Sequence, residues 1–216
     1  MKLVKPSTEI FHLESGRAAL QRIERAGRTC YKSEDKITPD SAEKFCKSIL
    51  ARGHESVIEH GFATVLFVID RGVSHELVRH RLASFSQESS RYCNYSGGVT
   101  FVIPPWLNTI PTKIDSDHVL AQWKNYLDDP PGLWMLSMAR AEREYLDLLS
   151  MGWSPQQARS VLPNSLKTEI VVTANFREWR HIFKLRCAKA AHPQMREVMV
   201  PLQTEFQKRV PVLFEI

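Results

Sequence analysis

The amino-acid sequence predicts an α+β fold, a single helix-rich domain over residues 1–216 with a small, mostly antiparallel sheet. Apolar residues recur with helical spacing in several long segments, whereas only three short runs have strand character. These runs do not alternate regularly with helices, which argues against the parallel sheet of a doubly wound fold. No repeat or Gly/Ser linker divides the chain, and 216 residues with 43% hydrophobic content suffice to bury one core.

Two helices and one strand are predicted in the first third of the chain. Residues 16–28 place apolar side chains on one helical face, and a second helix follows Thr38 and Pro39, which suit a cap and a first turn. Gly53 ends this second helix. Residues 62–69 are rich in Val, Ile, Phe and Leu without a helical period, so they are predicted as a buried strand.

A helix, a loop and a short strand are predicted next. Ser74 is a suitable N-cap for a helix that runs to about Leu82. Residues 84–92 are polar and have little propensity for regular structure, so they are predicted as a loop. Residues 99–103 form an apolar run closed by two prolines, which indicates a strand.

Helices dominate the predicted second half. Capping residues and prolines mark their starts, and glycine or proline marks several of their ends. The predicted helices are residues 115–127, residues 132–149, a short helix from Ser154 to Leu162, a helix from Asn175 to about Cys187, and a last helix from Pro193. One further strand is predicted at residues 170–174.

Composition and charge exclude several classes of protein. The longest apolar run is far shorter than the roughly 20 residues of a membrane span, and the first residues lack the apolar region of a signal peptide. The four cysteines form no CxxC pair, which speaks against a zinc ribbon or a disulfide framework. A cytoplasmic protein with no membrane partner is therefore expected. The net charge of +5 comes with arginines interleaved among apolar residues, which suits discrete anion sites better than a duplex-binding face.

Metal and nucleotide motifs of the common kinds are absent. No GxGxxG, GxxxxGK[ST] or GxSxG occurs in the sequence. His75 and His80 are five residues apart, whereas a zinc-protease helix needs histidines at i and i+4, so this pair is not predicted to bind metal. His54 and His60 lack a third clustered ligand. The sequence therefore predicts no metal site.

The most informative segment is Arg79-His80-Arg81 and the polar stretch up to Tyr92. Arg79 and Arg81 project in different directions, so they can serve two ligands, and their planar guanidinium groups suit phosphates. Backbone N–H groups and hydroxyls of the following stretch could hold a second phosphate. From the residues alone, a solvated basic helix end that offsets the helix dipole is an equally good interpretation.

A family resemblance decides between these interpretations. The spacing of Arg79-His80-Arg81 to Ser89, RHR-x7-S, resembles the signature of the flavin-dependent thymidylate synthases, and Ser89-Ser90-Arg91-Tyr92 belongs to the same block. Other elements resemble the family in the same order along the chain. They are His54-Glu55-Ser56, the ARxxLP element at residues 158–163, Asn175 with Arg177, and Leu185-Arg186.

The resemblance implies a set of site residues. FAD would be bound by His54, Ser56, Arg79, His80, Arg81, Gln87, Asn175, Arg177 and His181. The substrate dUMP would be bound by Glu76, Arg79, Gln87, Glu88, Ser89, Ser90, Arg91, Arg159 and Arg186. Arg186 would be the catalytic residue, since a fixed guanidinium can stabilise negative charge that develops on the uracil.

The resemblance also implies the reaction and the assembly. The single domain would catalyse reductive methylation of dUMP to dTMP, with methylenetetrahydrofolate as carbon donor and NADPH as the reductant of FAD. A homotetramer with active sites at subunit interfaces would be formed. Ser89 is assigned to binding dUMP, because the sequence places no His–Asp relay beside it. Cys93 is interpreted as a small buried side chain rather than a nucleophile.

Three positions depart from some members of the family. Glu76 replaces Gln, Gln87 replaces Glu and His181 replaces Asn, but each can still form hydrogen bonds. Two other functions remain open. A nucleic-acid-binding module would use the basic segments 79–91 and 177–196, with Trp179 and Tyr92 stacking on bases. A flavoprotein reductase without thymidylate chemistry would lack Arg159 and Arg186, and the presence of both arginines argues against it.

Overall fold

Helices account for most of the regular structure, which confirms the predicted helix-rich α+β class. The computed structural model describes residues 1–14, 16–107 and 111–215. Its helices are α1 (Gly16–Thr29), α2 (Ser41–Ala51), α3 (Arg71–Leu77), α4 (Ser116–Ala121), α5 (Pro130–Ser150), α6 (Pro155–Ala158), α7 (Phe176–Arg186), α8 (Pro193–Arg209) and α9 (Pro211–Phe214). In the described part of the chain, no helix has the length and apolar character that crossing a membrane requires.

Within the described residues, six strands form two small sheets. The strands are β1 (Lys2–Val4), β2 (Ser7–Leu13), β3 (Phe62–Asp70), β4 (Ala83–Gln87), β5 (Thr100–Val102) and β6 (Lys167–Asn175). The larger sheet has the order β2-β3-β6-β4, and β1 pairs with β5 in parallel. The Thr64 and Thr173 hydroxyls lie 2.9 Å apart and the N–H of Phe176 donates to the carbonyl of Gly61, so β3 and β6 run antiparallel. Strands β1 and β2 were not predicted, because β1 has only three residues and β2 mixes polar and apolar residues without a clear period.

The segment around the RHR signature differs from its prediction. Helix α3 begins at Arg71 rather than after Ser74, because Asp70 accepts the N–H of Val73 at 2.7 Å. It ends at Leu77, so Arg79-His80-Arg81 lie in a turn and do not close a helix. The predicted loop over residues 84–92 is wrong in its first half, since β4 occupies it. Pairing with β6 supplies the backbone hydrogen bonds that the polar side chains alone did not indicate.

Two predicted helix caps are confirmed, and the predicted cap at Thr38 is wrong, like the one at Ser74. Asn175 accepts the N–H of Glu178 at 2.9 Å, and Ser154 forms a capping box with Gln157 ahead of α6. Helix α2 instead begins at Ser41, whose hydroxyl accepts the N–H of Thr38 at 2.9 Å. Thr38 therefore lies in a turn before the helix rather than at its N-cap.

The burial of β3 also refines the prediction. Its side chains alternate between buried and half-buried, with Ala63, Val65 and Phe67 fully buried. The strand therefore buries one face rather than both. Because apolar residues also occupy its half-buried face, the sequence of this strand does not alternate between polar and apolar residues.

The chain divides into two compact units. The first contains residues 1–7, 68–77 and 87–170, and the second contains residues 8–67, 78–86 and 171–216. The single domain over residues 1–216 stays a prediction. The first unit has a core in which α5 packs its buried face, including Leu136 and Tyr145, against apolar side chains such as Leu3 and Phe101.

An aromatic cluster forms the core of the second unit. Trp179 and Phe183 of α7 pack against Phe206 and Phe214, with ring centroids 5.0 to 6.0 Å apart. The indole N–H of Trp179 donates to the carbonyl of Ala63 in β3 at 3.1 Å, which satisfies its polar group. Helix α7 is thus fixed along its length to the sheet and to α8 and α9.

A buried carboxylate ties together four parts of the first unit. Glu142 of α5 accepts the backbone N–H of Val99 at 2.8 Å and the hydroxyl of Ser116, and it lies 2.8 Å from the ammonium group of Met1. Its side chain is only 5% exposed. Since these donors are themselves buried, removing the carboxylate leaves them unsatisfied.

Replacing Glu142→Ala should therefore lower the free energy of unfolding by about 3–5 kcal/mol, the usual result of breaking a buried ion pair. Urea unfolding followed by circular dichroism measures the change. Glu144→Ala is the matched control, because Glu144 is exposed on the same helix. Equal stability of the two variants would contradict the assigned role of Glu142.

Candidate functional site

The first unit contains a cavity of about 410 Å³ with a basic and polar wall. Arg71 and His75 of α3 contribute to this wall, and so do Ser90 and Arg159. The remaining lining residues are Gln156, Ser160, Leu162, Pro163, Asn164 and Leu166. The cavity is therefore lined by Ser90 of the serine block and by most of the ARxxLP element that the sequence singled out.

Local structure brings these side chains together. Arg71 and His75 are four residues apart on α3, so they lie on the same face of the helix. Arg159 begins the 3-10 turn that follows α6, next to the fully buried Ala158. Its Nη1 donates to the hydroxyl of Ser90 at 3.0 Å, and Ser90 is itself buried.

The charge of this wall is not neutralised. Arg71 donates from Nη1 to the carbonyl of Glu88 at 3.3 Å, a neutral acceptor. Within residues 1–14, 16–107 and 111–215, neither Arg71 nor Arg159 has a carboxylate partner. Two arginines held by neutral oxygen atoms favour binding of an anion such as a phosphate.

Glu88 and Gln87, two of the residues predicted to bind ligands, form hydrogen bonds within the protein. The carboxylate of Glu88 accepts the hydroxyl of Tyr95 at 2.9 Å and pairs with Lys167 at 3.1 Å. Burial and this hydrogen bond raise the pKa of Tyr95, which keeps its phenol a donor. Gln87 donates to the hydroxyls of Ser74 and Thr168 at 2.9 and 3.2 Å. These contacts fix the start of the segment that carries Ser89 and Ser90.

Ser89 lies in a turn and not beside a base. Its carbonyl accepts the N–H groups of Tyr92 and Cys93 at 3.1 and 2.9 Å, and its hydroxyl accepts the N–H of Arg91 at 3.4 Å. In the part of the chain that the structure describes, its hydroxyl has no histidine or aspartate partner. Arg91 is exposed, and its guanidinium lies over the ring of Tyr92, 5.4 Å from the centroid.

The second unit holds a buried chain of polar side chains centred on His80. Its Nδ1 lies 3.1 Å from Oε1 of Glu178, and its Nε2 accepts from Nε of Arg186 at 3.0 Å. The side chains of His80 and Glu178 are only 4% and 7% exposed. The exposed ring of His181 lies edge-on to His80, with 5.7 Å between centroids.

The surroundings of His80 favour its neutral form. Burial lowers its pKa from the ordinary value of 6.5, and the nearby Arg186 lowers it further, while Glu178 opposes both effects. Nitrogen and oxygen atoms of His80, Glu178 and His181 lie within 4.8 Å of one another, which is close enough for metal ligands. The guanidinium of Arg186 at the same imidazole disfavours a metal cation there. Both ring nitrogens of His80 are engaged by protein, so a ring-nitrogen contact with flavin would have to replace one of these bonds.

Ion pairs join the HxS element to α7. Arg177 contacts Glu59 at 2.7 Å and Arg180 contacts Glu55 at 3.3 Å, and both glutamates belong to the 3-10 segment Glu55–His60. The other predicted FAD ligands of this unit are mostly exposed. They are His54, Ser56, Arg79, Arg81 and His181. Among the residues described, Arg79 and Arg81 form no ion pair, so their charge is available to an anion.

Sequence reasoning missed three residues of these two clusters. Arg71 was not singled out and His75 was weighed only as a metal ligand, although their spacing of four residues places both on one face of a helix. Glu178 had no signal beyond its position three residues after the cap Asn175. Only the fold places it against His80.

Comparison with known proteins gives the family. The family model for thymidylate synthase complementing protein matches residues 13–212. A flavin-dependent thymidylate synthase from Corynebacterium glutamicum is 36% identical over 200 residues, covering 89% of this chain and 77% of the relative. The Mycobacterium tuberculosis protein of the same name is 33% identical over 201 residues, with the same coverage.

Solved structures share the fold. The UMP/dUMP methylase PolB from Streptomyces cacaoi, bound with 5-Br dUMP, has a TM-score of 0.78 at 24% identity and covers 100% of this chain and 96% of that chain. Its 5-Br UMP complex has a TM-score of 0.74 at 23% identity, covering 99% and 94%. The predicted order of motifs is thus found within a family match that spans nearly the whole sequence. The chain belongs to the thymidylate synthase complementing protein family, the family of the flavin-dependent thymidylate synthases.

Proposed function

We propose that this chain converts dUMP to dTMP by reductive methylation, with methylenetetrahydrofolate as carbon donor and NADPH-reduced FAD as reductant. The observation that carries the proposal is the cavity formed by Arg71, His75, Ser90 and Arg159 in a member of this family. Relatives that match 89% of the chain bear the name of this activity. The protein is accordingly an FAD-dependent methyltransferase of dTMP biosynthesis.

The phosphate of dUMP would bind in the cavity. A nucleoside monophosphate carries up to two negative charges, and Arg71 and Arg159 supply two guanidinium groups that no carboxylate neutralises within the described chain. The buried hydroxyl of Ser90 fixes the direction of Arg159 before substrate arrives. Ser89 and Arg91, in the adjoining turn, would bind the rest of the nucleotide.

The donor groups of the second unit fit FAD. Its pyrophosphate needs exposed cations, which Arg79 and Arg81 provide, and His54, Ser56 and His181 offer exposed hydrogen-bonding groups. His80, with Asn175 and Arg177 at the start of α7, also belongs to the proposed FAD set, as does Gln87 of the first unit. When bound, the flavin supplies the reducing equivalents for the transferred one-carbon unit.

Arg186 would act on the uracil. Its Nε is held by His80, which restricts the directions that the guanidinium plane can take. A guanidinium stays protonated at all working pH values, so it can compensate negative charge on the uracil ring without a proton transfer. The proposed substrate contacts also include Glu76, Arg79, Gln87 and Glu88.

We extend the proposal to assembly and location. A homotetramer with active sites at subunit interfaces would place ligands of one subunit against another, which suits the exposed state of Arg79 and Arg81. The free state of Cys30, Cys46, Cys93 and Cys187 supports a cytoplasmic location. Nucleic acid is not a proposed partner. Trp179, one of the two aromatic residues that a nucleic-acid-binding module would use, is fully buried and cannot stack on a base.

A spectroscopic experiment tests the activity. The purified protein, reconstituted with FAD if necessary, should show oxidised-flavin absorption that bleaches with NADPH under anaerobic conditions. Adding dUMP should perturb the spectrum, and adding methylenetetrahydrofolate should then give dTMP, detected by chromatography. A protein that binds no FAD, or that bleaches without ever forming dTMP, would rule out the proposed reaction.

Replacing Arg159→Gln should weaken dUMP binding by about 10- to 100-fold, the effect of losing a hydrogen bond to a charged group worth 1.5–3 kcal/mol. Isothermal titration with dUMP and with deoxyuridine measures the change. Deoxyuridine, which lacks the phosphate, should bind both proteins equally. Arg140→Gln is the control, because Arg140 is exposed on α5. An equal loss for both ligands would refute phosphate binding by Arg159.

Replacing Ser89→Ala should raise KM for dUMP about fivefold and leave kcat within threefold, because one neutral hydrogen bond is worth about 1 kcal/mol. Steady-state kinetics of dTMP formation gives both constants, with the exposed Ser137→Ala as control. A loss of kcat on the order of a thousandfold or more would instead indicate covalent catalysis by Ser89.

A further inference from the structure

We propose that Glu178 is a positioning residue that acts through His80 on Arg186. The three side chains form one hydrogen-bonded line, with His80 between the carboxylate and the guanidinium. Glu178 fixes which imidazole nitrogen carries the proton, and that choice leaves the other nitrogen free to hold Arg186. The catalytic consequence rests on the proposed function of Arg186; the tautomer does not.

The protonation state follows from the donors present. Nε of Arg186 always carries a hydrogen, so Nε2 of His80, at 3.0 Å, has to be an acceptor. A neutral imidazole has one N–H, which is then on Nδ1 and points to the carboxylate of Glu178 at 3.1 Å. An ionised carboxylate only accepts hydrogen bonds. Both hydrogen bonds of the line are therefore formed only in this arrangement of protons.

Burial makes the arrangement obligatory. The side chains of His80 and Glu178 are 4% and 7% exposed, so water has little access to replace a lost partner. The other tautomer would direct an N–H of His80 at the N–H of Arg186 and leave Nδ1 without a donor. An imidazolium would place a second cation beside Arg186. Each alternative leaves a buried polar group unsatisfied.

The helix holds both ends of the line. Glu178 lies in the first turn of α7, where its own N–H is capped by Asn175 and its negative charge is favoured by the helix dipole. Arg186 is the last residue of the same helix. The neighbouring Trp179 is fully buried, so packing fixes the helix that separates Glu178 from Arg186. His80 spans them from the turn after α3.

The pH dependence has a defined sign. The charged and titratable groups that face His80 are Glu178, Arg186 and His181. Burial and Arg186 lower the pKa of His80 from 6.5, so the line stays intact at neutral pH and fails when the imidazole is protonated at lower pH. Removing the carboxylate of Glu178 removes the group that raises this pKa. The acid limb of turnover should then move to still lower pH.

Two substitutions separate the hydrogen bond from general packing. Glu178→Gln keeps an oxygen that accepts from Nδ1 of His80, whereas Glu178→Leu has similar volume and no acceptor. Glu43→Leu is the matched control, because Glu43 lies exposed on α2. Long-range 1H–15N spectra of histidine-labelled protein report the tautomer of His80 without any ligand, and a His80→Asn variant assigns its signals.

We expect the Nδ1–H tautomer of His80 in the unsubstituted protein and in Glu178→Gln. In Glu178→Gln the acid limb of kcat should shift to lower pH, and kcat at neutral pH should stay within threefold of that of the unsubstituted protein. In Glu178→Leu the tautomer should be lost or mixed, and kcat should fall on the order of 10- to 100-fold, the effect of misplacing a catalytic group. KM for dUMP should change less than kcat.

Several results would overturn the proposal. An Nε2–H tautomer in the unsubstituted protein would do so by itself, even if Glu178→Leu failed to fold. So would equal kcat in the Gln and Leu variants, or a stoichiometric metal ion bound at His80. If the unsubstituted protein formed no dTMP, the proposed function would fail, while the spectra would still decide the tautomer.

Discussion

The hydrogen bond from Arg186 to His80 is the interaction on which the candidate site depends most. It joins the end of α7 to the turn that carries the RHR signature, and it is possible only while His80 is neutral. Burial supplies that condition, because desolvation disfavours the imidazolium. The aromatic core around Trp179 fixes α7, and the carboxylate of Glu178 completes the line. The packing that buries His80 therefore also determines which charge state of its imidazole is favoured.

Local chemistry in the sequence was sufficient for several elements of the fold, whereas the candidate site residues came from the family resemblance. Asn175 as a helix cap and the Ser154 capping box are short-range signals, and the structure confirms both. Arg159 and Ser90 were assigned from separate motifs, and they are hydrogen-bonded at 3.0 Å. The two cap signals succeed because they depend on neighbours within one helical turn, whereas the contact between Arg159 and Ser90 joins residues 69 positions apart.

The remaining features depend on contacts between distant segments. Strand β4 has polar side chains and became regular only through pairing with β6, which local propensity does not register. Glu178 is 98 residues from His80, so no spacing rule connects them. Arg71 was not singled out in the sequence, and the cap at Asp70 makes it the first residue of a helix on a cavity wall.

The cavity in the first unit has a consequence for handling the protein. Arg159 is oriented by a hydroxyl rather than a carboxylate, so its charge is already in place before any ligand arrives. Inorganic phosphate and sulfate present the same oxygens as a nucleotide and need no base to recognise. Buffers and precipitants that contain these dianions would occupy the wall formed by Arg71 and Arg159. An affinity measured in phosphate would then describe an exchange of one dianion for another, and a zwitterionic buffer would give a different value.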